Sequence, residues 1–361
     1  VEVIGELEMA YRLSYGKFVA ITGTNGKTTT TSLVGKIFEE SGRKYTVVGN
    51  IGVATISKVQ DSTDDEWMIT EARSFQLETV SRFKPVVSAI LNFTPDHLNR
   101  HGSMEAYGAC KAAIGRNQTS DEYMVINYDD KACLALGDNT KARLVPFSRT
   151  EELDFGAYID DSYIVIRDEN GIVHQICSKD ELKIIGNHNI ENALAAAAIS
   201  FFAGIDAAVI ADALKKFPGV EHIIEYCGIV DGVKFYNDSK GTNVDASIIA
   251  LKALERDIIL IAGGDGKAQD FTELGENLLG RVKALVLLGR DAKEIEKAAR
   301  AAGFSNIYHE NDMNDCVKRA HKLSESGDKV LLSPACASWD MYDNYEQRGD
   351  HFKNCVNQLL R

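Results

Sequence analysis

The chain has no C-x-x-C pair, no run of five basic residues and no apolar stretch near the roughly 20 residues that a membrane helix requires. Each absence excludes a class of protein. Its seven cysteines (Cys110, Cys133, Cys177, Cys227, Cys316, Cys336 and Cys355) are odd in number and scattered, so they read as reduced thiols, and neither as a disulfide frame nor as a zinc site. With 40 Lys and Arg against 53 Asp and Glu, the formal charge is -13. That balance argues against nucleic acid or an anionic membrane as the main partner, and leaves room for a local basic pocket around a phosphate. No membrane insertion and no secretory leader are expected, which points to the cytoplasm. Low-complexity tracts and short-period repeats are also missing. Val1 opens in mid-pattern, with "VEVIGELEMAYRL" reading as a short strand leading into a helix and no initiator methionine. A preceding segment is therefore expected to be absent from this chain.

A length of 361 residues favours two domains. Apolar runs of strand length alternate with helical patterns almost from end to end, the signature of an α/β protein with a mainly parallel sheet. "FVAITG", "YTVVGN", "WMITEA", "VVSAILNF" and "YMVINY" are the strand candidates of the first half. Helices are expected over Lys27 to Glu40, Met104 to Arg116 and Asn189 to Phe202. The Asn-Gly within "YIVIRDENGIVHQIC" predicts a hairpin, and a second hairpin should turn at Asp231-Gly232. A domain boundary is expected near Gly219, giving domains 1–219 and 220–361. Three further strands follow it, in "DIILIAGGDG", "VKALVLLGRD" and "DKVLLSPACAS". Their carboxyl ends are where ligands bind in such sheets.

Chemistry is concentrated in "ITGTNGKTTTT". A strand ending at Thr22-Gly23, a tight turn and a helix from Lys27 would aim backbone N–H groups and the positive helix end at an anion. Lys27 adds charge, and the Thr28 hydroxyl is placed to ligate Mg²⁺. The usual G-x-x-x-x-G-K-[ST] spacing would need glycine at Ile21, yet the first glycine is Gly23.

G-T-N-G-K-T-T with this shortened spacing resembles the phosphate loop of the Mur ligases and folylpolyglutamate synthetases, ATP-dependent enzymes that form amide bonds. Further matches follow in the family's order: "TEARSFQLE", "NFTPDHLNRHG", "YGACKAAI", "GNHNIENALAA" and "YNDSKGTN". "GGDGK" and "LLSPACASWDMYDNYEQRGDHF" narrow the resemblance to the member that joins D-glutamate to UDP-N-acetylmuramoyl-L-alanine. It covers the whole chain but only two of that enzyme's three domains, with no segment matching an amino-terminal UDP-binding domain. The resemblance implies a central P-loop ATPase domain at 1–219 and a Rossmann-like, glutamate-binding α/β domain at 220–361.

It also implies roles. Gly23, Thr24, Asn25, Gly26, Lys27, Thr28 and Thr29 would hold the phosphates, with Asn192 and Asp238 flanking adenine and ribose. Thr28 and Glu71 would hold one Mg²⁺, and His97 and Lys111 a second metal, Lys111 carrying a carbamate. Lys240 and Thr242 would face the reaction centre, Asn50 would meet substrate, and Lys267, Ser338 and Tyr345 would receive D-glutamate. Lys27, Glu71, His97, Lys111 and Lys240 are thus the expected catalytic set, in a monomer. Taken singly, several of these residues have plain alternatives. Glu71 is also a strand-end carboxylate fit for an ion pair, Lys111 a helical lysine on an exposed face, Asp238-Ser239-Lys240 a polar turn, and Lys267 a solvated loop lysine.

Two segments depart from the family. Arg73 replaces the first serine of E-x-S-S-F. At the opening of the second domain, where P-H-R-x-E is usual, Glu221-His222-Ile223-Ile224-Glu225 stands, losing proline and arginine. Isoleucine cannot replace a guanidinium on phosphate, so weakened ATP binding is expected. Arg73 could restore a charge or pair with Glu71 and displace the metal. A catalytically weak or non-catalytic nucleotide-binding relative, and a folylpolyglutamate synthetase-like ligase, remain alternatives.

Overall fold

The computed structural model describes residues 2–51, 53–96 and 98–359, apart from the side chains of 98 and 99. The chain forms two compact units, Val1–Pro218 and Gly219–Arg361.

In the first unit, strands β1 (Lys17–Thr22), β2 (Tyr45–Gly49), β3 (Trp67–Glu71), β4 (Val87–Ile90), β5 (Tyr123–Asn127), β6 (Arg143–Ser148), β7 (Gly156–Asp160), β8 (Tyr163–Arg167) and β9 (Val173–Ser178) make one sheet. Its order is β2-β3-β1-β4-β5-β6-β7-β8-β9. Pairing is parallel from β2 to β7 and antiparallel from β7 to β9. β1, β3 and β4 are buried almost throughout, as strands covered on both faces must be. The chain runs from β1 outward to β2 and β3, then returns past β1 to β4. The carboxyl ends of β1, β3 and β4 therefore frame a crevice of the kind that binds ligands.

The helix Lys27–Glu40 buries Leu33, Val34, Ile37 and Phe38. Against it packs the helix Asn187–Phe202, whose Ala193 and Ala195 to Ala198 are fully buried. Alanine on that face lets the two helices approach closely.

In the second unit, β10 (Glu225–Val230), β11 (Val233–Asn237), β12 (Ile258–Ala262), β13 (Val282–Leu287), β14 (Ile307–His309) and β15 (Lys329–Leu332) are ordered β10-β11-β15-β12-β13-β14. Only β10–β11 is antiparallel. Phe235, Ile259, Ile261, Val286, Leu332 and Phe352 form the centre of its core. Both units are thus α/β with mainly parallel sheets.

Both expected hairpins form. β8 and β9 turn with Gly171 at φ 77°, and β10 and β11 turn at Asp231 and Gly232, φ 50° and 80°. The two left-handed residues between β10 and β11 are what a two-residue hairpin turn requires, whereas β8 and β9 are joined by a longer loop closed by Asp168 N to Ile172 O (3.0 Å), with Gly171 its left-handed residue. Elsewhere the structure differs from expectation. Residues 2–5 are not a strand, and a helix runs over Glu6–Leu13 instead. It is docked by Glu8, whose carboxylate accepts N–H bonds from Ser81 (2.9 Å), Arg82 (2.8 Å) and Phe83 (3.0 Å) and pairs with Arg12. The helix from Met104 stops at Ala112 and tightens into a 3₁₀ turn, Ala113–Gly115. The second unit has a fourth strand beyond its hairpin, the three-residue β14.

Candidate active site

The loop Gly23–Gly26 joins β1 to the helix that starts at Lys27. Gly26 sits at φ 80°, and a Cβ there would lie 2.3 Å from Asn192 Oδ1, so only glycine fits. Asn192 is buried; its carbonyl oxygen accepts from Thr30 Oγ1 (3.2 Å), and its amide donates to Asn189 (3.0 Å). It braces the turn from behind.

Asn92, just beyond β4, clamps the same loop from the front. Its Oδ1 accepts from the N–H groups of Thr24 (2.9 Å) and Asn25 (2.8 Å), and its Nδ2 donates to Asn25 O (3.1 Å). Thr24 Oγ1 donates to Thr94 O (3.1 Å) and lies 3.4 Å from Tyr107 Oη. Lys27 Nζ reaches back to the carbonyls of Gly23 (2.9 Å) and Thr24 (2.8 Å).

Glu71 ends β3 with its carboxylate buried between two partners. Thr28 Oγ1 donates to one oxygen (2.9 Å) and Asn50 Nδ2 to the other (2.8 Å). Hydroxyl, amide oxygen and carboxylate are hard oxygen donors suited to Mg²⁺. Among the described residues the Glu71 carboxylate is held by a hydroxyl and an amide, with no ion pair shown. Arg73 has no ion pair with Glu71 among the described residues; its guanidinium lies 5.9 Å from the ring centroid of Phe75.

Lys111 is 1% exposed, which overturns the reading of an exposed helical lysine. Its helix buries the face of Tyr107, Gly108 and Lys111, and Nζ lies 4.5 Å from the Tyr107 ring centroid while donating to Gly23 O (2.8 Å). Burial, then the charge of Lys27, pulls its pKa down to about 7. His97 lies outside the described residues. Gly23, Thr24, Asn25, Gly26, Lys27, Thr28, Thr29, Asn50, Glu71 and Lys111 are thus gathered at one edge of the first sheet, with Asn192 behind.

The second unit holds the remaining residues. Asp238 follows β11, buried, with Oδ2 accepting from Ser333 Oγ (2.7 Å) and Oδ1 from Ile224 N (3.2 Å); burial pushes its pKa up to about 7. Lys240 Nζ stands 5.8 Å from the Tyr345 ring centroid, and Thr242 N donates to Lys240 O (2.8 Å). Lys267 is exposed at φ 50° and stacks on Trp339, Nζ 4.3 Å from the ring centroid. Ser338 is buried and its carbonyl accepts from Met341 (3.1 Å) and Tyr342 (2.8 Å).

Sequence reasoning missed Arg348. Buried in the helix Tyr345–Leu359, it donates to Ser239 Oγ (3.0 Å), Ser239 O (2.8 Å) and Cys336 O (3.0 Å). It joins the loop carrying Asp238 and Lys240 to the segment leading into Ser338. The signal was available: positions 348, 352, 355 and 356 form a helical stripe, and an arginine on that stripe calls for partners.

Residues 21–200 match the family model for the Mur ligase middle domain, and residues 222–336 that for the Mur ligase glutamate ligase domain. The chain belongs to the Mur ligase family. It is 49% identical over 363 residues to the UDP-N-acetylmuramoylalanine--D-glutamate ligase of Thermoanaerobacter sp. strain X514, covering all of this chain and 80% of that protein. With the ligase of the same name from Clostridioides difficile strain 630 it shares 48% over 358 residues, 99% of this chain and 79% of that one. Among solved structures, MurF from Acinetobacter baumannii superposes with TM-score 0.71 at 17% identity, over 97% of this chain and 78% of that one. The MurF ligase of Thermotoga maritima, solved in complex with ADP, gives 0.70 at 16%, over 98% and 83%. Mur ligases are ATP-dependent and form peptide bonds, so this chain is a ligase of that kind. Among its described residues, no helix is long and apolar enough to cross a membrane.

Proposed function

We propose that this Mur ligase joins D-glutamate to UDP-N-acetylmuramoyl-L-alanine, through an acyl phosphate, in peptidoglycan synthesis in the cytoplasm. The supporting observation is the Thr28–Glu71–Asn50 constellation at the mouth of the phosphate loop, on a chain nearly half identical to ligases so named.

A carboxylate does not react with an amine at neutral pH, so ATP must first convert it to an acyl phosphate. Loop amides and Lys27 would receive the phosphates, because phosphoryl transfer depends on positioning and on neutralising charge. Lys27 Nζ already spans the loop and needs only to exchange carbonyl oxygens for phosphate oxygens. Mg²⁺ held by Thr28 and Glu71 would supply the remaining counter-charge. Asn50 orients the Glu71 carboxylate toward that role. Lys111 carries the chemistry of a carbamate: as a neutral amine it adds CO₂ and releases a proton, and its depressed pKa makes that amine available near neutrality. The carbamate would join His97 around a second metal. Asp238 and Asn192 would take the nucleoside, Lys240 and Thr242 the reacting groups, and Lys267, Ser338 and Tyr345 the incoming amino acid. The active species is proposed to be a monomer, built of a nucleotide-binding domain at 1–219 and a glutamate-binding domain at 220–361.

The test is phosphate release from ATP and Mg²⁺ with both substrates, for this chain alone and fused to a Mur ligase amino-terminal domain. Turnover that needs both substrates in the fused form supports the ligase. ATP binding without turnover in either form would support the second reading, a non-catalytic nucleotide-binding relative. That reading is favoured by Ile223, which stands where the family pattern has arginine. A nucleotide titration bears on it directly: Ile223→Arg should tighten ATP binding, and an unchanged affinity would remove that argument.

A further inference from the structure

We propose that Glu78, His101 and Cys110 form a binding site for a thiophilic divalent cation of the zinc class, separate from the phosphate-loop site. Their donor atoms all lie within 4.8 Å of one another. His101 Nδ1 is 3.8 Å from Cys110 Sγ and 3.5 Å from Glu78 Oε1. A tetrahedral zinc ion, with bonds of about 2.3 Å to sulfur and about 2.0 Å to nitrogen and oxygen, spaces its donors roughly 3.3–3.6 Å apart. Both separations from His101 are therefore close to those of an occupied site. Only the edge between Cys110 and Glu78 has to close, by at most about 1.5 Å on the same geometry, within reach of a side-chain rotation.

The histidine is oriented for the task. Its side chain is 3% exposed, its ring packs on Tyr107 with centroids 5.0 Å apart, and Nε2 lies 3.0 Å from Ser74 Oγ. When Nε2–H donates to that buried hydroxyl, Nδ1 is left as a lone pair facing the thiol and the carboxylate. Such a hydrogen bond on the far ring nitrogen is the usual support of a metal-bound histidine. Glu78 is partly exposed, which gives the ion a path in, and three protein donors leave one position for water or an external ligand. Arg100 binds both Glu78 oxygens, at 3.1 and 2.9 Å, yet each carboxylate oxygen keeps a second lone pair.

The three donors come from separate stretches: Glu78 follows the helix Ser74–Leu77, His101 ends the helix Leu98–His101, and Cys110 lies within Met104–Ala112. An ion would tie them together. Tyr107, between His101 and Thr24, links the site to the phosphate loop. Absence of any C-x-x-C pair hid the site, because its ligands converge only in the fold.

Co²⁺ titration of the whole chain, with excess Mg²⁺ and no nucleotide, tests this. One equivalent should bind, giving tetrahedral d–d bands and a thiolate-to-cobalt charge-transfer band. Cys110→Ser should abolish the charge-transfer band and Cys227→Ser should keep it. Ser74→Ala should weaken binding roughly tenfold or more. Without any variant, Zn²⁺ should protect Cys110 of the native chain from alkylation, read by peptide mass spectrometry. No stoichiometric Co²⁺ binding, a charge-transfer band that survives Cys110→Ser, or alkylation of Cys110 unaffected by Zn²⁺ would each overturn the site.

Discussion

Replacing Lys111 by methionine should stabilise the first unit in mild acid and change little in alkali. Lysine in the unfolded chain titrates near 10.5, and the buried Lys111 near 7. At 1.36 kcal/mol per pH unit, folding with the ammonium charged therefore costs about 4–5 kcal/mol below pH 7. Because the folded pKa lies below the unfolded one, the unfolded chain binds the extra proton between pH 7 and 10.5. Stability accordingly rises with pH across that window, and is flat on either side as far as this group is concerned. Methionine removes the charge and keeps most of the volume, but forfeits the bond to Gly23 O, worth about 1 kcal/mol. The net gain at pH 6 is about 3 kcal/mol, or roughly 6–12 °C in a unit of this size. By pH 10 it should vanish. Thermal unfolding in CO₂-free buffer at both pH values measures it. Parallel pH profiles for the two proteins would refute the reasoning, since they would mean that Lys111 keeps an ordinary ammonium. Added bicarbonate should then raise the melting temperature of the native chain and leave the methionine variant unmoved, because only an amine can be trapped as carbamate.

Gly26→Ala should cost about 2–4 kcal/mol, combining a left-handed backbone with a Cβ pressed on Asn192; in an Asn192→Ala background the penalty should shrink, and an equal penalty would locate the strain elsewhere. Glu8→Gln should destabilise the first unit by about 2–3 kcal/mol at neutral pH, through weakened bonds to three N–H groups and Arg12. Burial opposes the Glu8 charge, but those bonds win and hold its pKa below the usual carboxylate range. Its contribution is therefore present above the unfolded pKa and is lost as pH falls, so acid titration should bring the Gln variant and the native chain together. Arg348→Met should cost about 1–3 kcal/mol in the second unit, because stranding the Ser239 and Cys336 carbonyls outweighs relief of the burial that pulls the Arg348 pKa down to about 10. Arg348→Lys should recover only part of that in urea unfolding, as one ammonium cannot span three acceptors.

What was legible in the sequence was whatever chemistry is local. The phosphate loop, its flanking strand and helix, and both glycine-bearing hairpins are written in consecutive residues. Glu71 and Asn50 were named through the family resemblance; each also follows an apolar strand run, at the carboxyl edge of the parallel sheet where the structure brings them together. β6 was hidden by Pro146 in "RLVPFS", since proline argues against a strand within a sheet. Three residues of β14 carry too little pattern to stand out. Lys111 was misread because periodicity assigns a charged residue to the solvent face; it has no means of weighing a neighbouring tyrosine ring and a loop carbonyl against desolvation. Asn92 and Arg348 were missed for a related reason: their partners, mostly backbone atoms, are brought near only by folding.

The shortened loop has a structural rationale in the same terms. Ile21, where the longer loop would need glycine, is instead a buried strand residue, paired with Glu71 on β3 and Ala89 on β4. Extending β1 this far places the end of β3 level with the loop, so that Glu71 meets Thr28 at hydrogen-bond distance. The extension also shortens the turn that can wrap a phosphate, and the Asn92 side chain occupies the N–H groups of Thr24 and Asn25. Anion binding must then fall more heavily on Lys27 and on the first turn of its helix, where N–H groups point along the axis. A loop built this way gives up some backbone contact with phosphate for a carboxylate fixed beside the helix start, a favourable exchange if that carboxylate holds a metal ion on the transferred group.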